Sequence, residues 1–77
     1  MPRVVVYHAD GCHLCERALE VVEQVCASDF ASVDIGGDER LEAEYRSLIP
    51  VVEVDGDRAF TFFVEPDALR RRLASAG

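Results

Sequence analysis

Asp10-Gly11-Cys12-His13-Leu14-Cys15 is the stretch that decides the fold of this chain, because it joins an apolar run to a helical pattern. The run Val4–Tyr7 lies directly before it and is typical of a buried strand. From Leu14 onward, apolar residues recur at the spacing of one face of a helix. A strand, a short loop that carries a CxxC and a helix together form the layout of a thiol–disulfide redox site.

The first cysteine of the motif is the candidate nucleophile. At the start of the helix, the sulfur of Cys12 would meet unpaired backbone N–H groups and the positive end of the helix dipole, and both favour thiolate over thiol. Asp10 opposes this effect, and a protonated His13 would support it. Cys15 follows one turn later on the same face, where it can reach Cys12 to close a disulfide. We therefore expect Cys12 to ionise more readily than a free cysteine.

Length and composition indicate one small domain, which we expect to span residues 1–77 and to be a monomer. Apolar residues make up 49% of the chain and favour a packed core over disorder. The formal net charge of −7 argues against nucleic acid and anionic membrane surfaces as partners. The N-terminus has no leader pattern, and no segment reaches the roughly 18 apolar residues of a membrane span. We therefore expect a cytoplasmic protein, in which a lone CxxC is more often catalytic or metal-binding than structural.

The rest of the chain predicts three more strands and two more helices. The first helix should end near Ser28-Asp29, and Asp55-Gly56-Asp57 is a strong hairpin turn. The predicted strands are Val4–Tyr7, Ala31–Ile35, Val51–Val54 and Arg58–Val64, and the later helices are Asp38–Leu48 and Pro66–Ala74.

The predicted order is therefore β-α-β-α-β-β-α. A helix between the first two strands favours a right-handed parallel crossover, and the last two strands form an antiparallel hairpin. A four-stranded mixed sheet with helices on both faces satisfies both constraints, and this places the chain in the α/β class.

The chain resembles the glutaredoxin-like thiol–disulfide oxidoreductases, of the short bacterial kind, which have the thioredoxin fold. The resemblance covers nearly the whole length. It rests on Cys12-His13-Leu14-Cys15 after the first strand, on Leu48-Ile49-Pro50-Val51 before the third, and on the order of elements.

The resemblance implies roles for the residues of these two motifs. Cys12 would be the attacking thiolate and Cys15 the resolving thiol. Pro50 would be the cis-proline that faces the dithiol, and the backbone of Ile49 would be left free to pair with an extended substrate strand. His13 either tunes the thiolate and contacts substrate or is an ordinary surface residue.

Two departures from the family concern glutathione. Glutaredoxins usually have Cys-Pro-Tyr-Cys, whereas the inner pair here is His13-Leu14. They also carry Gly-Gly and acidic residues after the hairpin, where the γ-glutamyl group of glutathione docks, and here that stretch is Phe62–Asp67. The resemblance implies disulfide-containing proteins or small molecules as substrates, and glutathione or a flavin-dependent reductase as electron donor. The missing glutathione-docking residues favour the reductase over glutathione. The resemblance implies no metal or organic cofactor.

Two other functions fit the same cysteines. Cys12 and Cys15 could instead be ligands of zinc or an iron–sulfur cluster, but zinc wants four ligands and the nearby sequence offers only His8 or His13 as a third. A metal site would therefore need a dimer or a partner chain. The second alternative is an adaptor of low turnover whose dithiol reacts with one dedicated partner.

Aromatic residues near the last strand are expected to contribute to the core. Phe60, Phe62 and Phe63 cannot all face one side of a strand, so two should fill the core and the third should lie under a helix or at the substrate rim.

Cys26 lies on the apolar side of the first helix, too far from Cys15 to pair with it, and should act as a small hydrophobe.

Overall fold

The computed structural model describes residues 2–75 as four strands and three helices in the predicted order. The elements are β1 Val4–His8, α1 His13–Cys26, β2 Ala31–Asp34, α2 Glu39–Tyr45, β3 Val51–Val54, β4 Asp57–Thr61 and α3 Pro66–Ser75.

The strands form one mixed sheet in the order β2-β1-β3-β4. β1 runs parallel to β2 and antiparallel to β3, which pairs with β4 in the antiparallel hairpin. Val51, at the start of β3, pairs with both Tyr7 and Thr61, near the ends of β1 and β4. The loops 9–12, 49–50 and 62–65 therefore meet at one end of the sheet, and we call it the loop end.

Helices cover both faces of the sheet, as predicted. On one face, α1 and α3 pack over alternate residues of the central strands, and this cluster contains Val4, Val6, Ala18, Val22, Val52, Val54, Val64 and Leu69. On the other face, α2 and the turn after it pack over a second cluster of Ala9, Ile35, Tyr45 and Val51. Side-chain alternation along β1 and β3 divides the core in this way.

The end of α2 differs from the prediction. The helix stops at Tyr45 rather than Leu48, because the backbone N–H groups of Leu48 and Ile49 both donate to the Tyr45 carbonyl oxygen, at 2.8 and 3.0 Å. This turn closes the helix before Pro50, which has no N–H to continue it. The start of the helix is as predicted, since the Asp38 side chain accepts the N–H groups of Arg40 and Leu41.

The end of β4 also differs. The strand stops at Thr61 rather than Val64, because Phe62 has a φ of 66° and leaves the extended conformation. The N–H of Phe63 then donates to the Thr61 carbonyl oxygen at 2.7 Å and closes a tight turn. Residues 62–65 are therefore a loop at the loop end of the sheet.

Candidate active site

Cys12 caps the N-terminus of α1, in the position that the motif predicts. Its backbone is extended, with φ −103° and ψ 106°, and its Sγ accepts the backbone N–H of Cys15 at 3.1 Å. The preceding Gly11 has a φ of 75°, a left-handed conformation that favours glycine. The turn at Gly11 thus directs the chain so that the Cys12 sulfur lies against the free N–H groups of the helix start.

The two cysteines of the motif differ in exposure. Cys15 lies one turn inside the helix and is only 1% exposed, whereas Cys12 is half-buried. They form a disulfide, and their Cα atoms are 5.2 Å apart, within the range that disulfides need. A molecule that approaches from solvent therefore meets Cys12 before Cys15.

Ile49 and Pro50 lie at the loop end of the sheet, where β1 leads into the CxxC loop. The Ile49–Pro50 peptide bond is cis, as the resemblance implied, and Pro50 is fully buried. The expectation that the backbone of Ile49 is wholly free is wrong for its N–H, which donates to the Tyr45 carbonyl oxygen at 3.0 Å. No loop or turn N–H among residues 2–75 donates to the Ile49 carbonyl oxygen.

His13 points into solvent at the first position of α1, with 98% of its side chain exposed. Its Nδ1 lies 3.4 Å from a carboxylate oxygen of Glu16, one turn further along the helix. His13 is thus accessible beside Cys12, and its nearest charged neighbour is acidic.

Three large apolar side chains are exposed beside the motif: Leu14 at 39%, Phe62 at 41% and Phe63 at 70%. They line one groove of about 550 Å³ between α1 and residues 62–66. The N–H of Phe62 donates to the Pro50 carbonyl oxygen at 3.0 Å and ties this groove to the cis-proline.

These exposures correct two expectations. Only Phe60 packs against the core, so the prediction that two of the three phenylalanines fill it is wrong. Leu14 fits the apolar spacing of α1 but is 39% exposed and is not part of the core cluster under α1 and α3. The adjacent pair Phe62-Phe63 was the available signal, because neighbours in a strand cannot both face inward.

A polar cluster, which the sequence did not reveal, lies on the α2 face of the sheet. The rings of Tyr7 and Tyr45 stack at 4.4 Å, and both hydroxyls donate to the Glu53 carboxylate, at 3.4 and 3.1 Å. Arg58 lies over the Tyr45 ring, 5.6 Å from its centre. Burial, reinforced by the hydrogen bond to Glu53, raises the pKa of Tyr45 to about 12.

Two absences among residues 2–75 concern metal binding and membrane crossing. No three His, Cys, Asp or Glu side chains in this part of the chain are grouped so as to hold a metal ion. None of the helices described there has the length and apolar character that crossing a membrane requires.

Comparisons with known proteins agree with this geometry. The model of the family described as Glutaredoxin-like domain (DUF836) matches residues 3–74. Protein XcR50 from X. campestris is 34% identical, with a TM-score of 0.82, over 96% of this chain and 99% of its own. No curated protein matches the chain.

Two named redox proteins have the same fold. A mutant thioredoxin from Halobacterium salinarum NRC-1 is 25% identical, with a TM-score of 0.64, over 96% of this chain and 74% of its own. Oxidized glutaredoxin 2 from Chlamydomonas reinhardtii is 18% identical, with a TM-score of 0.65, over 94% of this chain and 71% of its own. The fold of this chain is therefore thioredoxin-like.

Proposed function

The chain belongs to the glutaredoxin-like domain family, and we propose that it is a small dithiol oxidoreductase that exchanges electrons with disulfides. The observation that carries the proposal is the asymmetry of the CxxC pair. Cys12 is accessible at the helix start, and Cys15 is buried within disulfide reach of it. An attacking thiol must be accessible, whereas a resolving thiol needs only to reach the first sulfur.

The reaction proceeds by two exchanges. The Cys12 thiolate attacks one sulfur of a substrate disulfide, the substrate S–S bond breaks, and the departing thiolate takes up a proton. The thiol of Cys15 then loses its proton and attacks the Cys12 sulfur, which releases the second substrate thiol. The substrate gains two electrons and two protons, and the chain is left with the Cys12–Cys15 disulfide.

Local geometry supports the role of Cys12. The Cys15 N–H that donates to the Cys12 sulfur at 3.1 Å becomes a charge-assisted hydrogen bond when that sulfur is a thiolate. The positive end of the α1 dipole adds to this effect. We therefore propose that the reduced Cys12 ionises more readily than a free cysteine, whose pKa is about 8.5.

Ile49, Pro50 and His13 are proposed to contact the substrate. The carbonyl oxygen of Ile49 would accept a hydrogen bond from an extended substrate segment, and Pro50 would hold that backbone in place. His13 is exposed next to Cys12, where it meets whatever approaches the sulfur. The chemistry needs no metal or organic cofactor, and glutathione or a flavin-dependent reductase would restore the dithiol.

The test combines a redox titration with cysteine variants. In glutathione buffers at neutral pH, followed by thiol trapping and intact mass, Cys12 and Cys15 should be oxidised and reduced together. Cys12→Ser should abolish reduction of a small disulfide, and Cys15→Ser should accumulate mixed disulfides. Cys26→Ser is the matched control, because Cys26 lies outside the motif near the end of α1 and should leave activity intact. Activity that survives Cys12→Ser would refute the proposal.

A further inference from the structure

The groove between α1 and residues 62–66 contains every large apolar side chain that is exposed among residues 2–75. These are Leu14, Phe62 and Phe63, and we call them the apolar groove surface. Leu14 belongs to the CxxC motif itself, and Phe62 is hydrogen-bonded to Pro50. Exposed apolar side chains that line one groove form a surface on which an apolar group of another molecule can pack. Leu14, between the two cysteines, connects the groove with whatever reacts at Cys12.

The backbone of Phe62 adds an independent observation. A bulky residue at a φ of 66° is strained, and only glycine takes this conformation without cost. The strain is not offset by placing the ring in the core, because the residue remains 41% exposed. Strained residues concentrate where function requires them. The backbone conformation at this position favours glycine, but the chain has phenylalanine here. The strained turn therefore places an aromatic ring at the surface.

The charges around the groove are unbalanced. Glu20 and Glu65 line it together with one cation, Arg17. None of these three forms an ion pair within the described residues, so the two carboxylates are available to an outside cation. A basic ligand is therefore attracted to this groove, and an anionic one is repelled, all the more because the chain carries a net charge of −7.

From these observations we propose that the groove docks a cysteine-containing segment of a protein substrate, in which an apolar side chain adjoins a basic one. The proposal rests on the proposed function and specifies its substrate class. The apolar side chain would pack against Phe62 and Phe63, and the basic one would meet Glu20 or Glu65. A volume of about 550 Å³ accommodates side chains of this kind.

Charge also separates this occupant from two others. Glutathione carries two carboxylates and one ammonium group, so its net negative charge is opposed by Glu20 and Glu65. A second copy of the chain would itself carry a net charge of −7, which opposes its association with an acidic groove. A basic and apolar segment is the occupant that both properties of the groove favour.

The experiment uses two short synthetic peptides, each with its single cysteine in a mixed disulfide with thionitrobenzoate. In one peptide the cysteine is flanked by Phe and Arg, and in the other by Ser and Glu. Release of thionitrobenzoate by the reduced protein gives a second-order rate constant for each peptide. Each rate is divided by the rate of the same peptide with N-acetylcysteine, which removes differences in intrinsic reactivity.

We expect the reduced protein to favour the Phe-Arg peptide by about ten-fold, the effect of burying much of one aromatic side chain. Phe63→Ser should remove most of this preference, and because Phe63 is 70% exposed the fold should be unchanged. Glu65→Gln should lower the preference and its dependence on salt. Arg40→Ser, at an exposed position on the opposite face of the sheet, is the matched control and should preserve it.

The uncharged disulfide 4,4′-dithiodipyridine separates the two hypotheses, because it tests the dithiol with little contact to the groove. If it fails to convert the dithiol to the Cys12–Cys15 disulfide, the proposed function is wrong. If it reacts, and the two peptides react equally or the preference survives Phe63→Ser, the docking proposal alone is overturned. Faster exchange with oxidised glutathione than with the Phe-Arg peptide, or a dimer that Phe63→Ser dissociates, would overturn it as well.

Discussion

The left-handed backbone of Phe62 predicts that glycine stabilises this position relative to alanine. The comparison is between Phe62→Gly and Phe62→Ala, since both remove the same aromatic ring and differ only in the Cβ atom. At a φ of 66° that Cβ crowds the backbone of an L-residue, whereas glycine adopts the conformation freely. Phe60 supplies the matched control, because it lies in the extended β4 strand, two residues earlier.

The size of the effect follows from the two conformations. A left-handed backbone costs a residue with a Cβ roughly 1–2 kcal/mol. Glycine loses about 0.5–1 kcal/mol more conformational entropy than alanine on folding. Phe62→Gly should therefore be more stable than Phe62→Ala by about 0.75 kcal/mol, the difference between the midpoints of these two ranges. At Phe60 the backbone is extended and the left-handed cost is absent, so Phe60→Gly should be less stable than Phe60→Ala by at least about 0.5–1 kcal/mol.

Equilibrium urea unfolding of the four variants, all in the oxidised state, measures both differences. For a domain of this size, 1 kcal/mol also moves the melting temperature by roughly 4–8 °C, so thermal unfolding provides a second reading. The decisive quantity is the change of sign between the two positions. If alanine is the more stable residue at both positions, Phe62 does not have a left-handed backbone in solution, and the strain argument for the groove fails with it.

Two further predictions concern the polar cluster on the α2 face. Glu53→Ala should lower the free energy of unfolding by about 1–3 kcal/mol, because the buried Tyr45 hydroxyl loses its acceptor. Urea unfolding should show a smaller loss for Glu53→Gln, which keeps an acceptor oxygen, and equal losses would contradict this. The free energy of unfolding should also depend on alkaline pH. The Tyr45 pKa is about 12 in the folded chain and about 10 in the unfolded chain. Between these two pH values the unfolded state has already released the proton, so the free energy of unfolding should fall as the pH rises. Tyr45→Phe should flatten this fall in a pH series of unfolding curves, and an unchanged slope would refute it.

Much of the fold could be predicted from the sequence because its signals are local. The CxxC lies between a β-branched run and a helical pattern, and Asp55-Gly56-Asp57 marks the hairpin. The order of elements followed from these signals, and the crossover and hairpin rules then led to the mixed sheet. Cys12 at the helix start and Pro50 before β3 could be placed for the same reason, since each depends only on the elements that flank it.

The features that were missed depend on tertiary structure. The apolar spacing of Leu14 is that of a buried helix face, but its side chain is 39% exposed, whereas Cys15 beside it is buried. Phe62 and Phe63 have strong strand propensity, which the left-handed backbone at Phe62 overrides. The Ile49 N–H is taken by Tyr45 because α2 ends early, and hydrogen-bond partners across a turn are not visible in a pattern of apolar residues. The corrections therefore concentrate at the loop end, where the loops come together.

The sheet topology explains why these loops come together. β1 and β4 end, and β3 begins, at the same end of the sheet, so the helix after β1 must direct its free N–H groups there. An N-terminal cap at that point is usually Ser, Thr, Asp or Asn, whose oxygen accepts a backbone N–H. In this chain the Cys12 sulfur accepts that N–H at 3.1 Å, so one atom both caps α1 and is the proposed nucleophile. The contact that fixes the helix start thus also favours the thiolate, and the topology places this sulfur at the same end of the sheet as Pro50 and the Phe62-Phe63 turn.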